Sequence, residues 1–413
     1  MRPSFRPIAA LLLAVAILVS GSGLLSTLLP VRAHIEQFST LSIGVLGGIY
    51  YMGFVVGCWF GPAMVGRVGH IRAFATSAAV ASAVALIHAL AVDIVAWWAI
   101  RVVAGIAFAL IYVVIESWLN EHAVNETRGR IGSVYAFINI ASIGAGQAMM
   151  TLYDPHGFPL FCLVAILLSL ALVPIASSTA PSPTPVATRR VNLARVYRTS
   201  PVGFIGCTVV GFANATFWAL GPVYAAETGF SVDGVAFFMM ASSFAGAVAL
   251  WPIGRVSDRI DRRLVILTIS TGAALAAIGL VAATRFAPEL RIPLVALFAF
   301  FSLPLWSVSA AHAYDRAPSG AFVEISSGLL LTYGVAAVIG PVVAADLMER
   351  FGAETMFLFT TAFHAGFAAF TLYRMRQRPR QAVQTATPGS APGVFELDRP
   401  PAEGATTPER HSP

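Results

Sequence analysis

Residues 251–263 read WPIGRVSDRIDRR, and residues 59–72 read WFGPAMVGRVGHIR. Each stretch closes an apolar run and turns basic, as the short loop between two membrane-crossing helices does. A shift of 192 positions lays Trp59 on Trp251, Gly66 on Asp258, Arg67 on Arg259 and Gly69 on Asp261. Charge bias alone would place short basic loops here. It would not match the tryptophans, so the pairing predicts two duplicated halves.

The composition agrees with a membrane location. Of 413 residues, 57% are hydrophobic and 11% charged, against about 25% charged for a soluble domain. That excludes a soluble enzyme, a nucleic-acid binder and a secreted disulfide scaffold. Cys58, Cys162 and Cys207 all lie in apolar runs, without CxxC or Cys/His metal spacing. The net charge of +6 comes from 26 arginines and no lysine, and their placement reflects orientation across a membrane rather than binding to nucleic acid.

A crossing helix needs about 20 apolar residues. Such runs fall near 8–30, 42–64, 73–92, 94–118, 131–153 and 158–177, and again near 201–224, 234–253, 264–283, 292–313, 324–346 and 354–373. The expectation is an all-α integral membrane protein with twelve transmembrane helices in two six-helix bundles, at 8–177 and 200–373. The apolar run after Arg2 and Arg6 is too long for a signal-peptide core, so it is read as the first span. With residues 1–7 inside, 21 of the 26 arginines fall on the cytoplasmic side and four outside, while Arg101 lies within a span. The positive-inside rule then puts both termini in the cytoplasm of a bacterial inner-membrane protein. Residues 178–199 read as a proline-rich, basic linker, and residues 374–413 as a tail too poor in apolar residues to build a core.

The loop after span eight resembles the signature of the major facilitator superfamily of transporters, G-x-x-x-D-R/K-x-G-R/K-R/K. Gly254, Asp258, Arg259, Arg262 and Arg263 match it, with Asp261 where the family has glycine. In the first half Arg67 and Gly69 match, but Gly66 replaces the aspartate. Arg101 to Gly105 is similar to the superfamily's R-x-x-x-G pattern in span four. Residues 101–120, 251–259 and 327–334, with Gly340-Pro341, resemble its bacterial YcaD-like branch, a likeness that implies no particular substrate. The resemblance implies two bundles around a central cavity. It also implies a latch in which Asp258 faces the N-terminus of span five near Arg130 to Ser133, with Arg316 nearby. Without a carboxylate at Gly66, that latch would rest mainly on Asp258; a plain basic anchor is the alternative.

Ionisable groups inside spans are costly and mark pathways or internal pairs. Arg101, Gly105, Phe108, Tyr112 and Glu116 recur at helical spacing, and the resemblance places this stripe on the cavity. Arg101 and Glu116 lie about 22 Å apart along the helix, too far to pair. Arg101 could snorkel or bind an anionic group. Glu116 could carry a coupled proton or pair with Arg67 or Arg130. Ser22, Ser26, Asn139, Asn214, Trp218, Ser302 and Trp306 are further pathway candidates, although Ser and Asn also tie neighbouring helices together. His88 and His312 read as packed or hydrogen-bonded.

Gly53, Gly57 and Gly61 leave a flat face for close helix approach, and Gly334 with Gly340-Pro341 suggests packing and a bend. Without a P-loop, HExxH or nucleophile–base pair, no catalytic residue, metal or cofactor is expected. The function so implied is secondary transport of a small solute by alternating access in a lipid bilayer. Proton coupling is a candidate, efflux is slightly favoured, and a monomer is expected. The competing reading is a transporter-fold sensor or assembly partner acting through its linker and tail.

Overall fold

A bilayer core offers no water, so a crossing segment must satisfy its backbone hydrogen bonds internally, and a single segment does so as a helix. The computed structural model describes residues 6–122, 128–177, 192–318 and 321–377, and among them the regular elements are helices without strands. The first half holds α1 (Arg6–Ile35), α2 (Thr40–Val68), α3 (His70–Leu90), α4 (Ile94–His122), α5 (Arg128–Ala148), α6 (Pro159–Leu170) and the short α7 (Leu172–Ala176). A seven-residue helix, α8 (Leu193–Thr199), precedes the second half. That half holds α9 (Pro201–Glu227), α10 (Val232–Arg259), α11 (Arg262–Phe286), α12 (Arg291–Ser302), α13 (Leu305–Tyr314), α14 (Phe322–Phe351) and α15 (Thr355–Gln377).

Local chemistry explains where the helices begin and end. Ser39, Ser200 and Ser231 accept backbone N–H bonds at the starts of α2, α9 and α10, each at 3.2 Å, filling donors that a helix leaves open. Gly69 and Gly352 close α2 and α14 with φ of 84° and 100°, values that suit a residue without Cβ. Asp261 caps α11 by accepting from Arg263 N at 2.9 Å. Burial works against its charge, but the hydrogen bonds from Arg263 prevail and hold its carboxyl below the usual range.

The 192-residue offset seen in two loops extends over the whole fold. Added to the bounds of α2 it gives 232–260, against Val232–Arg259 for α10, and added to those of α3 it gives 262–282, the first five-sixths of α11. On the same offset α1 lies on α9, α5 on α14, α6 with α7 on α15, and α4 on the broken pair α12 and α13. Between the halves, α1 meets α9, while α2 meets α14 and α10 meets α5. The last two contacts exchange under the repeat, as a pseudo-two-fold arrangement requires.

Among the described residues eleven helical segments are long and apolar enough to cross a bilayer, with α6–α7 and α12–α13 each counted as one broken segment. The difference from the expected twelve is α5. It has 21 residues but carries Asn139, Ser142, Gln147 and four glycines, and it packs between α1 and α10. Large apolar side chains such as Val95, Val248 and Leu275 stay exposed on the outside, where lipid rather than water would meet them.

The glycine face of α2 sets the spacing within the first half. A Cβ on Gly57 would sit 2.6 Å from Ala109 Cβ and 2.9 Å from the Ile106 carbonyl, and one on Gly53 would strike the Val102 carbonyl. From the other side, a Cβ on Gly105 would strike the Tyr50 carbonyl. Gly57→Leu is therefore expected to destabilise the detergent-solubilised protein by about 1–3 kcal/mol through overpacking. Gly366→Ala, which has open space around it, should leave the thermal unfolding midpoint unchanged or slightly higher. Equal losses in both would contradict the packing role of the α2 face.

Candidate functional site

The two halves touch toward one end. Call the end with the loops at 36–39, 228–231 and 352–354 the arginine-poor end, and the end with the loops at 69 and 260–261 the arginine-rich end. From the arginine-poor end inward, α2 zips onto the second half: Gly44 lies against Ala345 and Pro341, Gly47 against Ala219, Gly48 against Val338, and Val55 against Gly334. Two carboxylates clasp the mouth of this seam. Thr40 Oγ1 donates to Glu227 at 2.8 Å, and the Leu41 N–H donates to Glu349 at 2.8 Å. Glu349 thereby meets the unsatisfied donors and positive dipole end of α2. On the other side of the pseudo-axis, Ser243 Oγ of α10 donates to Gln147 Oε1 of α5 at 2.7 Å.

Toward the arginine-rich end the helices diverge in what they present. Trp59 and Trp251, the matched pair of the repeat, are 77% and 66% exposed. Arg255 lies over the Trp251 ring at 4.1 Å. Asp258 is 70% exposed and pairs with Arg262 of its own half at 3.1 Å. Arg262 also donates to Asp315 at 2.7 Å and to Ser257 at 2.8 Å, tying α10, α11 and α13 together. Arg263 holds Asp261, and Arg316 lies against His312 at 3.0 Å. Arg67 and Arg259 are exposed, Gly69 caps the end of α2, and Gly254 lies within α10 rather than in the loop that the sequence suggests.

Between these ends the two halves bring together a cluster of half-buried polar and aromatic side chains, read as the wall of a chamber: Tyr50, Tyr51 and Phe54 of α2, Arg101, Tyr112 and Glu116 of α4, Tyr135 and Asn139 of α5, Trp306 of α13 and Tyr333 of α14. The ionisable members are enclosed by protein although part of their surface remains accessible. That combination is expected of side chains lining a deep cleft, not of a dry core. Phe54 meets Tyr112 edge-on at 6.1 Å, Trp306 meets Tyr333 at 5.3 Å, and Tyr51 meets Tyr333 across the two halves at 6.2 Å. The side chains of Tyr112 and Asn139 pair, as do the hydroxyls of Tyr51 and Tyr333.

The structure distributes the sequence-derived pathway residues unevenly. Arg101, Tyr112, Glu116, Asn139 and Trp306 come to the chamber wall, whereas Trp218 is half-buried and meets Phe217 edge-on at 5.5 Å. Ser22 of α1 is half-buried, and Ser26 donates to the Gly23 carbonyl of its own helix at 2.8 Å. Asn214 and Ser302 are buried inside the second half. There the Asn214 amide donates to the Ser302 carbonyl at 3.3 Å, and the Ser302 hydroxyl bonds Asn214 Oδ1. His364 Nε2 lies 3.1 Å from the same hydroxyl, so the group ties α9, α12 and α15. Tyr50, Tyr51, Tyr333, Gln147, His364 and the clasp glutamates were not singled out from sequence. Adjacent tyrosines in the middle of an apolar span were the available signal for the first two. His88 packs on Trp97 and pairs with the Val84 carbonyl. Among the described residues no His, Cys, Asp and Glu group suits a metal, and the three cysteines are free.

Two repeated helical halves around an aromatic-walled chamber define a polytopic membrane transporter. Comparison with known proteins makes this specific: the model of the Major Facilitator Superfamily matches residues 11–303 and 203–408, and the chain belongs to that family. It is 27% identical over 356 residues to the uncharacterized MFS-type transporter YcaD of Escherichia coli O7:K1, covering 86% of this chain and 92% of the relative. The corresponding protein of Escherichia fergusonii is 26% identical over 355 residues, with the same coverage. Among solved structures, a bacterial homolog of the human lysosomal transporter Spinster, in an inward-facing and unoccupied conformation, superposes with TM-score 0.75 at 13% identity, covering 91% of this chain and 98% of that one. The nucleoside transporter NupG superposes with TM-score 0.73 at 13% identity, over 90% and 99% of the two chains. At that identity the likeness is one of fold. As a member of this family the chain transports a solute across a membrane.

The clasp is open to direct test. Hydrogen bonds to a charged group contribute about 1.5–3 kcal/mol each, so removing both carboxylates with Glu227→Ala and Glu349→Ala should favour opening at the arginine-poor end. A cysteine in place of Ala219, in an otherwise cysteine-free protein, should react about tenfold or more faster with an impermeant maleimide than in the parent. An unchanged rate would make the clasp incidental to closure.

Proposed function

We propose that this chain is a secondary active transporter that moves a small solute across the bacterial inner membrane by alternating access. The supporting observation is the cluster of half-buried polar and aromatic side chains between two repeated halves, with the α2–α14 seam closing the arginine-poor end. On this reading α5 makes the twelfth crossing, the arginine-rich end and both termini face the cytoplasm, and the conformation described is inward-facing. The working unit is a monomer, because each chain contains a whole chamber.

The cycle then needs the arginine-rich end to close as the seam parts. Asp258 is the candidate for that step: it stands on the exposed end of α10, and among the described residues its one ion pair is with Arg262 of its own half. On closure it would exchange Arg262 for the N-terminus of α5, where open N–H groups and the helix dipole attract a carboxylate. Gly66 offers no equivalent, so the latch is one-sided.

Glu116 is the candidate proton carrier. It sits on the chamber wall, and among the described residues no ion pair or hydrogen bond engages its carboxyl, while Tyr112, Tyr135 and Cys58 lie near it. An ionised carboxylate there lacks compensation, so proton gain and loss would go with exposure to one side or the other. The chamber's aromatic and weakly charged walls favour efflux of an amphipathic solute.

Purified protein in liposomes, screened against solutes with an imposed pH gradient, tests this reading. The expected result is solute-dependent proton movement that Glu116→Gln abolishes while solute exchange persists. Proton movement of equal size in Glu116→Gln would remove Glu116 from coupling, and solute exchange without any proton movement in the parent would remove the proton.

A further inference from the structure

Among the described residues most buried and half-buried arginines have a clear partner. Arg32 holds Glu36, Arg262 holds Asp258 and Asp315, Arg263 holds Asp261, and Arg291 donates to the carbonyls of Pro288 and Thr228. Arg101 differs. Its guanidinium lies 4.2 Å above the Tyr50 ring, its Nε is sealed from solvent without a hydrogen bond, and among the described residues no carboxylate or carbonyl receives it. The acid on its own helix, Glu116, is about 22 Å away along the axis.

Register decides how this side chain is used. Gly105 packs at Gly53 and Ala109 at Gly57, a constant difference of 52 positions that sets Arg101 level with residue 49 of α2. Tyr50 is at that level too, so the guanidinium lies across the α2–α4 pair and not outward along it. An arginine snorkelling to the arginine-poor mouth would extend past the first turns of α2 instead. This one is held about 13 Å below them, at 1.5 Å per residue.

We propose that Arg101 is the anion-binding residue of the chamber, and that the transported solute is an organic oxyanion with a flat apolar body. The inference rests on the transporter reading above and adds the substrate's chemistry. A guanidinium stays charged at any working pH and presents paired donors to a planar oxyanion. Left alone in a low-dielectric site it is uncompensated; an incoming carboxylate, or another oxyanion of the same shape, supplies both missing charge and missing acceptors. Tyr50, Tyr51 and Phe54 beside it offer ring faces to a planar body. Tyr51 also touches Tyr333 of the other half, so a solute seated on Arg101 lies where the two halves meet and can bias their arrangement.

The test uses four probes of one shape on the purified full-length protein: 2-naphthoate, 2-naphthyl phosphate, the neutral 2-naphthamide and the cationic 2-naphthylmethylamine. Binding is read by thermal shift and tryptophan fluorescence. The oxyanion probes should bind at least tenfold more tightly than the amide, with the amine weakest, and whichever of carboxylate and phosphate is tighter names the head group. Arg101→Gln should remove the preference, and Arg101→Lys should keep it with affinity reduced about tenfold through loss of the paired geometry. Equal binding of naphthamide and naphthoate, absence of binding by either oxyanion at millimolar concentration, or an undiminished preference in Arg101→Gln would overturn the proposal. The comparison of probes on the unaltered protein stands even if a variant fails to fold. A protein that still exposes its chamber alternately to the two sides but ignores the oxyanions would fail this inference alone.

Discussion

Helix α2 carries glycines on two opposite faces, and the structure depends on both. Nine residues separate Gly44 from Gly53 and Gly48 from Gly57, two and a half turns at 3.6 residues per turn. One face meets α4 of its own half; the other meets α14 of the partner half. With no hydrophobic force between helices in lipid, close van der Waals packing of small residues is what draws such helices together. The α4 face is locked by glycines on both helices, including Gly105. The α14 face is closed near its mouth by two carboxylate hydrogen bonds, which water can replace. A permanent seam and a separable seam thus lie on the same helix, and motion of one half against the other needs that distinction.

The repeat is close in spacing and unequal in chemistry. The same 192-residue shift relates the seams α2–α14 and α10–α5, yet the first is a glycine zipper and the second carries a Ser243–Gln147 hydrogen bond with Phe244 against Gly144. The ionisable wall residues also come from the first half, with Arg101 and Glu116 both on α4. The second half answers with aromatic side chains and with an internal polar tie, Asn214–Ser302–His364, that stiffens it. Charge recognition by one half and an apolar wall from the other suit an amphipathic solute.

Much of this was legible in the sequence because the bilayer imposes simple rules. Span lengths, the duplicated loops and the α2 glycine stripe follow from hydropathy and spacing, and the isolated charges Arg101 and Glu116 stand out against an apolar background. Contacts between halves were less legible: nothing in the local sequence of Tyr51 or Tyr333, or of Thr40 and Glu227, says that they meet. Asn214 and Ser302 illustrate a polar residue in a span whose chemistry alone does not distinguish a pathway from a helix tie. His364, which completes that tie, lies amid apolar residues without a motif. The helix α8 arose from a stretch that composition assigned to linker, because Asn192 caps it and Val196 buries against Gly328 while Arg195 pairs with Glu324 at 3.2 Å.

The most direct measurement is a pair of distances in the same membrane-reconstituted protein: spin labels at 37 and 351 on the arginine-poor end, and at 67 and 259 on the arginine-rich end. Alternating access predicts two populations in each distribution, with the short distance at one end accompanying the long distance at the other, and their ratio shifting with solute. Distances that stay fixed at both ends, or that lengthen together, would contradict a chamber exposed to one side at a time.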